Sequence, residues 1–155
     1  MSFVLDASIP ACWALLDEQD SRADAAFVRI KTEEAIVPSL WWFEIRNILV
    51  VNERRKRITE SDTGVFLRDL AGLRVRVDRE PEESVVLRLA RRYGLSVYAA
   101  SYLELALREA IPLQPWTLNL PHRHVQRALD LYDFEAIAKW TVGLTERNRG
   151  GFFAD

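Results

Sequence analysis

Cysteine is nearly missing from this chain: Cys12 is the only one among 155 residues. That excludes an internal disulfide and any zinc site built from several thiolates, and it makes a reducing cytoplasm the expected setting. Histidine is almost as scarce. His122 and His124 are the only two, and a spacing of two does not place them on one helical face, so a histidine-based site is not expected. Excess charge of either sign is missing as well. Lys and Arg number 21 against 23 Asp and Glu, a formal net charge of -2, which argues against a strongly basic nucleic-acid binder but leaves room for local basic patches. The N-terminal stretch MSFVLDASIPACWALL has no basic leader, and Asp6 interrupts its first apolar run. Neither a signal peptide nor a membrane span is expected, and the reading is of a soluble protein. Internal repeats and low-complexity linkers are absent.

What the chain does have is apolar content, 49% of its residues, enough for one domain over residues 1–155 with a sizeable core. Phe3 to Leu5 is a short apolar run ending at Asp6, and Ser8 with Pro10 opens a helix to about Asp17. Ser21 to Lys31 reads as a second helix, and Ala35 to Val37 as a brief strand stopped by Pro38. Ser39 opens a long helix in which Leu40, Phe43, Asn47 and Val50 or Val51 recur at helical spacing. Thr59 with Asp62 has the form of a capping box before a helix that ends near Gly72. Leu73 to Val77 alternates apolar and basic residues like a strand with one solvated side, and Glu82 to Arg92 is helical, closed at Tyr93-Gly94. A strand over Leu95 to Tyr98, a helix over Ser101 to Glu109 and a last strand from Pro112-Leu113 complete the pattern.

Strands alternating with helices predict a mostly parallel sheet covered on both faces, with ligands bound beyond the carboxyl ends of the strands. Asp6 and Ala99 are expected at those ends, and Glu44 joins them if the long helix crosses the same edge. Ala99 is conspicuous there. At the start of a helix Ser, Thr, Asp or Asn is preferred, and Ala at a cap costs about 1 kcal/mol, although Ser101 can take over the capping.

Three stretches, FVLDAS (Phe3 to Ser8), VPSLWWFEIRNIL (Val37 to Leu49) and GLSVYAASYLELA (Gly94 to Ala106), occur in the order and at the separations of the PIN-domain family. Within it, the chain resembles the VapC toxin ribonucleases of type II toxin-antitoxin pairs. The resemblance implies a PIN-like three-layer α/β/α fold with a central, mostly parallel sheet. It also implies a Mg2+- or Mn2+-dependent endoribonuclease, in which acidic side chains gather metal to activate water and stabilise the leaving oxygen. Clustered carboxylates repel one another unless a cation neutralises them, and magnesium prefers hard oxygen ligands. Asp6 matches the first acidic position and Glu44 the second, both as metal ligands; Ser8 and Asn47 match the polar positions that orient the site. The third acid falls in the family motif VYDASYL, where this chain has VYAASYL, so Ala99 replaces Asp. The fourth follows a last strand resembling PLATLD, where this chain runs PLQPWTLNLPHRHV. Implied partners are RNA, a homodimer mate and a VapB-like antitoxin whose C-terminal segment crosses the acidic pocket.

The genetic code adds a reading of residues 114–155. Trp116 is TGG and Thr117 begins AC, so a frame one base earlier reads GAC, Asp, across that pair, preceded by codons restricted to Leu, Met or Val and to Thr or Ala. The missing TLD is thus permitted in the other frame, which also allows a TGA stop across Tyr132 and Asp133. The tail after about Leu113 then reads as out of frame, and together with Ala99 it would be a second inactivating change. A divergent but genuine C-terminus is the alternative, since Val125, Leu129, Tyr132, Ala136 and Trp140 fall on one helical face. The corresponding alternative function is a catalytically inactive PIN-like module for protein binding or dimerisation.

Plainer readings stand beside these. Trp41, Trp42 and Phe43 read as core or dimer contact rather than a base-stacking platform. The run Glu53-Arg54-Arg55-Lys56-Arg57 ends a helix, where cations complement the dipole; RNA contact is the other reading, with Arg74, Arg76, Arg91 and Arg92 as candidates to add to a phosphate-binding rim. Cys12 reads as a small buried hydrophobe. FVLDAS also fits a phosphotransferase of the haloacid-dehalogenase type, but the second Asp needed two residues on is Ser8.

Overall fold

The computed structural model describes residues 1–15, 20–111 and 113. The expectations for His122, His124 and the tail from residue 114 lie outside them. The elements run β1 (Phe3–Val4), α1 (Ser8–Ala14), α2 (Ser21–Arg29), β2 (Ala35–Pro38), α3 (Leu40–Arg54), α4 (Glu60–Ala71), β3 (Val75–Asp78), α5 (Glu83–Tyr93) and α6 (Val97–Arg108). This is a mixed α/β fold. The strands form a parallel sheet in the order β1-β2-β3, with Val4 opposite Ile36 and Ile36 opposite Arg76. Val4 also bridges Leu113 in parallel, so the short β1 is paired along both its edges.

Every residue of β1 and β2 is buried. Consecutive strand side chains point to opposite faces, so burial of all of them means that both faces of β1 and β2 are covered. In β3, by contrast, Arg76 is exposed while Val75 and Val77 are half-buried, the expected strand with one wet side. That strand starts two residues later than the alternation implies, because the Leu73 amide turns back to the Leu70 carbonyl at 3.1 Å and extends the end of α4.

Local capping accounts for several boundaries. At α4 the Thr59 hydroxyl accepts the Asp62 amide at 3.1 Å and the Asp62 carboxylate accepts the Thr59 amide at 2.9 Å, the reciprocal box expected from the sequence. Gly94 closes α5 with φ of 62°, a left-handed conformation that a β-carbon would strain. The basic run sits at the C-terminal end of α3, where Arg54 occupies the last turn.

Two expectations are corrected. No strand covers Leu95 to Tyr98; instead α6 starts at Val97, capped by Ser96, whose hydroxyl accepts the Ala99 amide at 3.1 Å. Ala99 is therefore not a cap at all but the third residue of the helix. The apolar letters Leu95, Val97 and Tyr98 suit a strand, and a hydroxyl three residues before Ala99 overrides them. On α3 the buried stripe is Trp41, Ile45, Leu49 and Asn52, while Phe43, Asn47 and Val50 face outward. Both stripes have helical spacing, and tertiary packing, to which α1 contributes, decides between them. The aromatic cluster is split accordingly: Trp41 is core, whereas Trp42 is 47% and Phe43 68% exposed. The Arg46 guanidinium stacks 3.6 Å over the Trp42 ring. No helix among the described residues is long and apolar enough to cross a membrane.

Candidate functional site

Asp6 follows directly on the β1 and Leu5 run, at the carboxyl end of the strand. Its Oδ1 accepts the Ser8 amide at 2.8 Å, a turn that fixes the side chain over the start of α1. Burial pushes the Asp6 carboxyl up from its ordinary 3.8 to about 6; hydrogen bonds from the Ser8 side chain and amide oppose the rise, and the negative charge of Glu44 adds to it. The two carboxylates thus share one electrostatic neighbourhood, as the sequence predicts.

Glu44 projects from the first half of α3, and burial raises its carboxyl too. Its Oε2 accepts the hydroxyl of Tyr102 on α6. Tyr102 is only 1% exposed, and its phenol is held well above the usual range, first by burial and then by the charges of Asp6 and Glu44. Three elements distant in sequence therefore meet at one point: the β1 end, α3 and α6. Ser8 belongs to the site through Asp6. Asn47, one turn beyond Glu44, is exposed, and no hydrogen bond joins it to either carboxylate.

Sequence reasoning missed Tyr102, which reads as one more apolar residue of SYLELAL. The available signal was its spacing, three residues after Ala99, which puts both on one side of α6. Ala99 is half-buried there.

The donor set suits a hard divalent cation in part. Elsewhere acids have cationic partners: Asp20 pairs with Arg22, Glu33 with Arg29, and Asp78 with Arg108. Among the described residues neither Asp6 nor Glu44 pairs with Lys or Arg, so two partly buried carboxylates lack a counter-charge. Oxygen donors of this kind fit Mg2+ or Mn2+, with water filling the remaining positions. Among the described residues no three His, Cys, Asp or Glu side chains gather, so the pair supplies a reduced ligand set.

A pH dependence follows. Asp6 binds its proton more tightly folded than unfolded, so in the absence of divalent cations stability is expected to fall as pH rises from about 4 to about 6, by about 2–3 kcal/mol. Urea unfolding across this range checks it: Asp6→Asn removes this part of the slope. A slope unchanged in the variant would assign it to other groups.

No protein-family model and no curated protein sequence matches the chain. Among solved structures, it is similar to the crystal structure of PAE2754 from Pyrobaculum aerophilum, with TM-score 0.56 and 23% identity over 73% of this chain and 72% of that one. At that identity, the likeness is one of fold.

Proposed function

We propose that this chain has a PIN-like fold and is a Mg2+- or Mn2+-dependent endoribonuclease of the VapC toxin type, with its acidic centre reduced to Asp6 and Glu44. One observation carries the reading: two partly buried carboxylates converge at the carboxyl end of β1, and among the described residues no Lys or Arg is paired to them. When bound, a divalent cation supplies a lowered pKa for the attacking water and neutralises charge building on the phosphodiester. Asp6 and Glu44 would hold it, while the Ser8 amide orients Asp6 and the Tyr102 hydroxyl donates to Glu44. The proposal extends to a cytoplasmic setting, a homodimer and a VapB-like antitoxin as partner.

The test is cleavage of single-stranded RNA by the purified chain with and without Mg2+ or Mn2+. Metal-dependent cleavage that Asp6→Asn removes supports the reading, and cleavage insensitive to both metal and Asp6→Asn overturns it. A second reading, an inactive PIN-like binding module, is favoured by Ala99 in the place of an acid and by the exposed Trp42, Phe43 and Val50 along α3. It predicts no cleavage under any metal, together with self-association that Phe43→Ser weakens.

A further inference from the structure

We infer that the outward face of α3 is a track for a single strand of RNA, with Phe43 and the Trp42–Arg46 stack receiving bases and Arg54, Arg55 and Lys56 receiving phosphates. This rests on the ribonuclease reading only for the choice of RNA over DNA, and it needs neither a bound cation nor the acidic pair.

Opposite the buried stripe of Trp41, Ile45, Leu49 and Asn52, the helix exposes Phe43, Asn47, Val50 and Arg54 at spacings of four, three and four residues. Trp42 and Arg46 flank this face. At one end Phe43 is 68% exposed and stands edge-on to Trp42, with 5.1 Å between ring centroids, while the Arg46 guanidinium covers the Trp42 ring. Bases stack on guanidinium planes as well as on aromatic rings. At the other end Arg54, Arg55, Lys56 and Arg57 are all exposed. About 18 Å of helix axis separates Trp42 from Arg54, the length of a few nucleotides. Stacking groups followed along one surface by cations suit a single strand, whose bases are open; a duplex hides them.

The cationic end is uncompensated and built. Both acids of α3 turn elsewhere: Glu44 accepts Tyr102 on α6, and Glu53 accepts the Thr63 hydroxyl on α4. Among the described residues Arg54, Arg55 and Lys56 have no acidic partner. Asn52, 5% exposed, donates to the Ile48 carbonyl at 2.9 Å and accepts Arg57 Nη1 at 2.8 Å, so a buried amide anchors the run. Lys56 has a φ of 58°, in the left-handed region where glycine is relaxed and lysine is strained. Strain retained where glycine would relieve it points to a use for the side chain.

Two other occupants fit less well. A second copy packed here about a two-fold axis would bury these cations against a face with no acid to meet them. A helix lying in a membrane surface separates its cations from its apolar residues, whereas here both share one face and the opposite face is core.

Fluorescence anisotropy with a labelled single-stranded RNA of about 12 nucleotides, in EDTA, tests the inference. Lys56→Gly is expected to raise thermal stability and to weaken binding, an opposition that a purely structural lysine would not produce. Adding Arg54→Gln and Arg55→Gln is expected to flatten the slope of log affinity against log salt by about 2. Phe43→Ala is expected to weaken binding at least about 5-fold with native circular dichroism. Variants that keep the wild-type affinity and slope overturn the inference. So do a wild-type chain that does not bind the strand, equal affinity for duplex RNA, a Phe43-dependent dimer that RNA does not dissociate, and Lys56-dependent binding to anionic vesicles in place of RNA. A DNA strand of the same sequence separates the two nucleic acids: RNA bound at least as tightly supports the assignment, and DNA bound alone overturns it. Binding in EDTA by a chain that never cleaves with metal removes the ribonuclease reading and leaves a strand-binding face. Metal-dependent cleavage by a chain whose Lys56→Gly and Phe43→Ala variants bind normally removes the inference alone.

Discussion

Ala99→Asp is expected to tighten Mn2+ binding by about 100-fold and to make the stability of the chain depend on metal. Ala99 stands one turn before Tyr102 on the side of α6 that meets Glu44, so a carboxylate there adds a third negative charge to a pair with no Lys or Arg partner among the described residues. Two unit charges about 4 Å apart interact by about 4 kcal/mol at the effective dielectric of such sites. A divalent cation gains twice that from the new carboxylate and loses part of it to added repulsion among the acids and to lost hydration; a net gain near 3 kcal/mol is what 100-fold represents. Without metal, the same repulsion destabilises the fold. An acid in the first turn of a helix recovers only about 0.3–1 kcal/mol from the dipole. Calorimetry with Mn2+ and thermal unfolding with and without it check the result. Ala99→Asn is the control, since it has the shape of Asp without the charge. Equal tightening by both variants, or by neither, would remove Ala99 from the site.

The second large effect concerns the buried acid of α6. Glu104 is 1% exposed; its Oε1 accepts Arg108 Nε at 2.7 Å and the Glu82 amide at 3.3 Å, while Oε2 has no partner among the described residues. Arg108 reaches on to Asp78 at the end of β3, also at 2.7 Å. One guanidinium thus ties α6 to the last residue of the sheet. Burial raises the Glu104 carboxyl, and Arg108 opposes the rise. Arg108→Ala leaves Glu104 charged without compensation, and the expected loss is about 3 kcal/mol, the low end for a broken buried pair because Arg108 keeps contact with water. The sign with pH is fixed. The variant raises the folded-state pKa of Glu104 further above its unfolded value, so its deficit shrinks as pH falls and grows as pH rises. Denaturant unfolding at pH 5 and pH 8 reads this. Arg108→Ala combined with Glu104→Gln is expected to be more stable than Arg108→Ala alone; a double variant less stable than either single change would contradict the account.

Much of the fold was legible because its signals are local. Asp6 closing an apolar run, the Thr59 and Asp62 box, and Gly94 after a basic helix end each depend on neighbours within four positions, and each appears where expected. The convergence of Asp6 and Glu44 was legible only by combining strand polarity with a helix crossing the sheet edge. What escaped is what distance in sequence hides. Tyr102 meets a partner 58 residues away, and Glu104 answers to Asp78 through Arg108; within SYLELALR nothing distinguishes these from core packing and a solvated charge. The α3 stripe escaped for another reason. Its letters allow two faces at helical spacing, and tertiary packing, to which α1 contributes, buries Trp41 and Ile45 while Phe43 and Asn47 stay exposed.

The double pairing of Val4, with Ile36 on one edge and Leu113 on the other, bears on how the chain is made. Joining Val4 to Leu113 closes a loop of nearly the entire described chain, and the entropic cost of that closure favours late formation of this pairing. During synthesis Asp6 and Glu44 leave the ribosome well ahead of Tyr102. The meeting of Glu44 with Tyr102 therefore waits for the sixth helix to emerge.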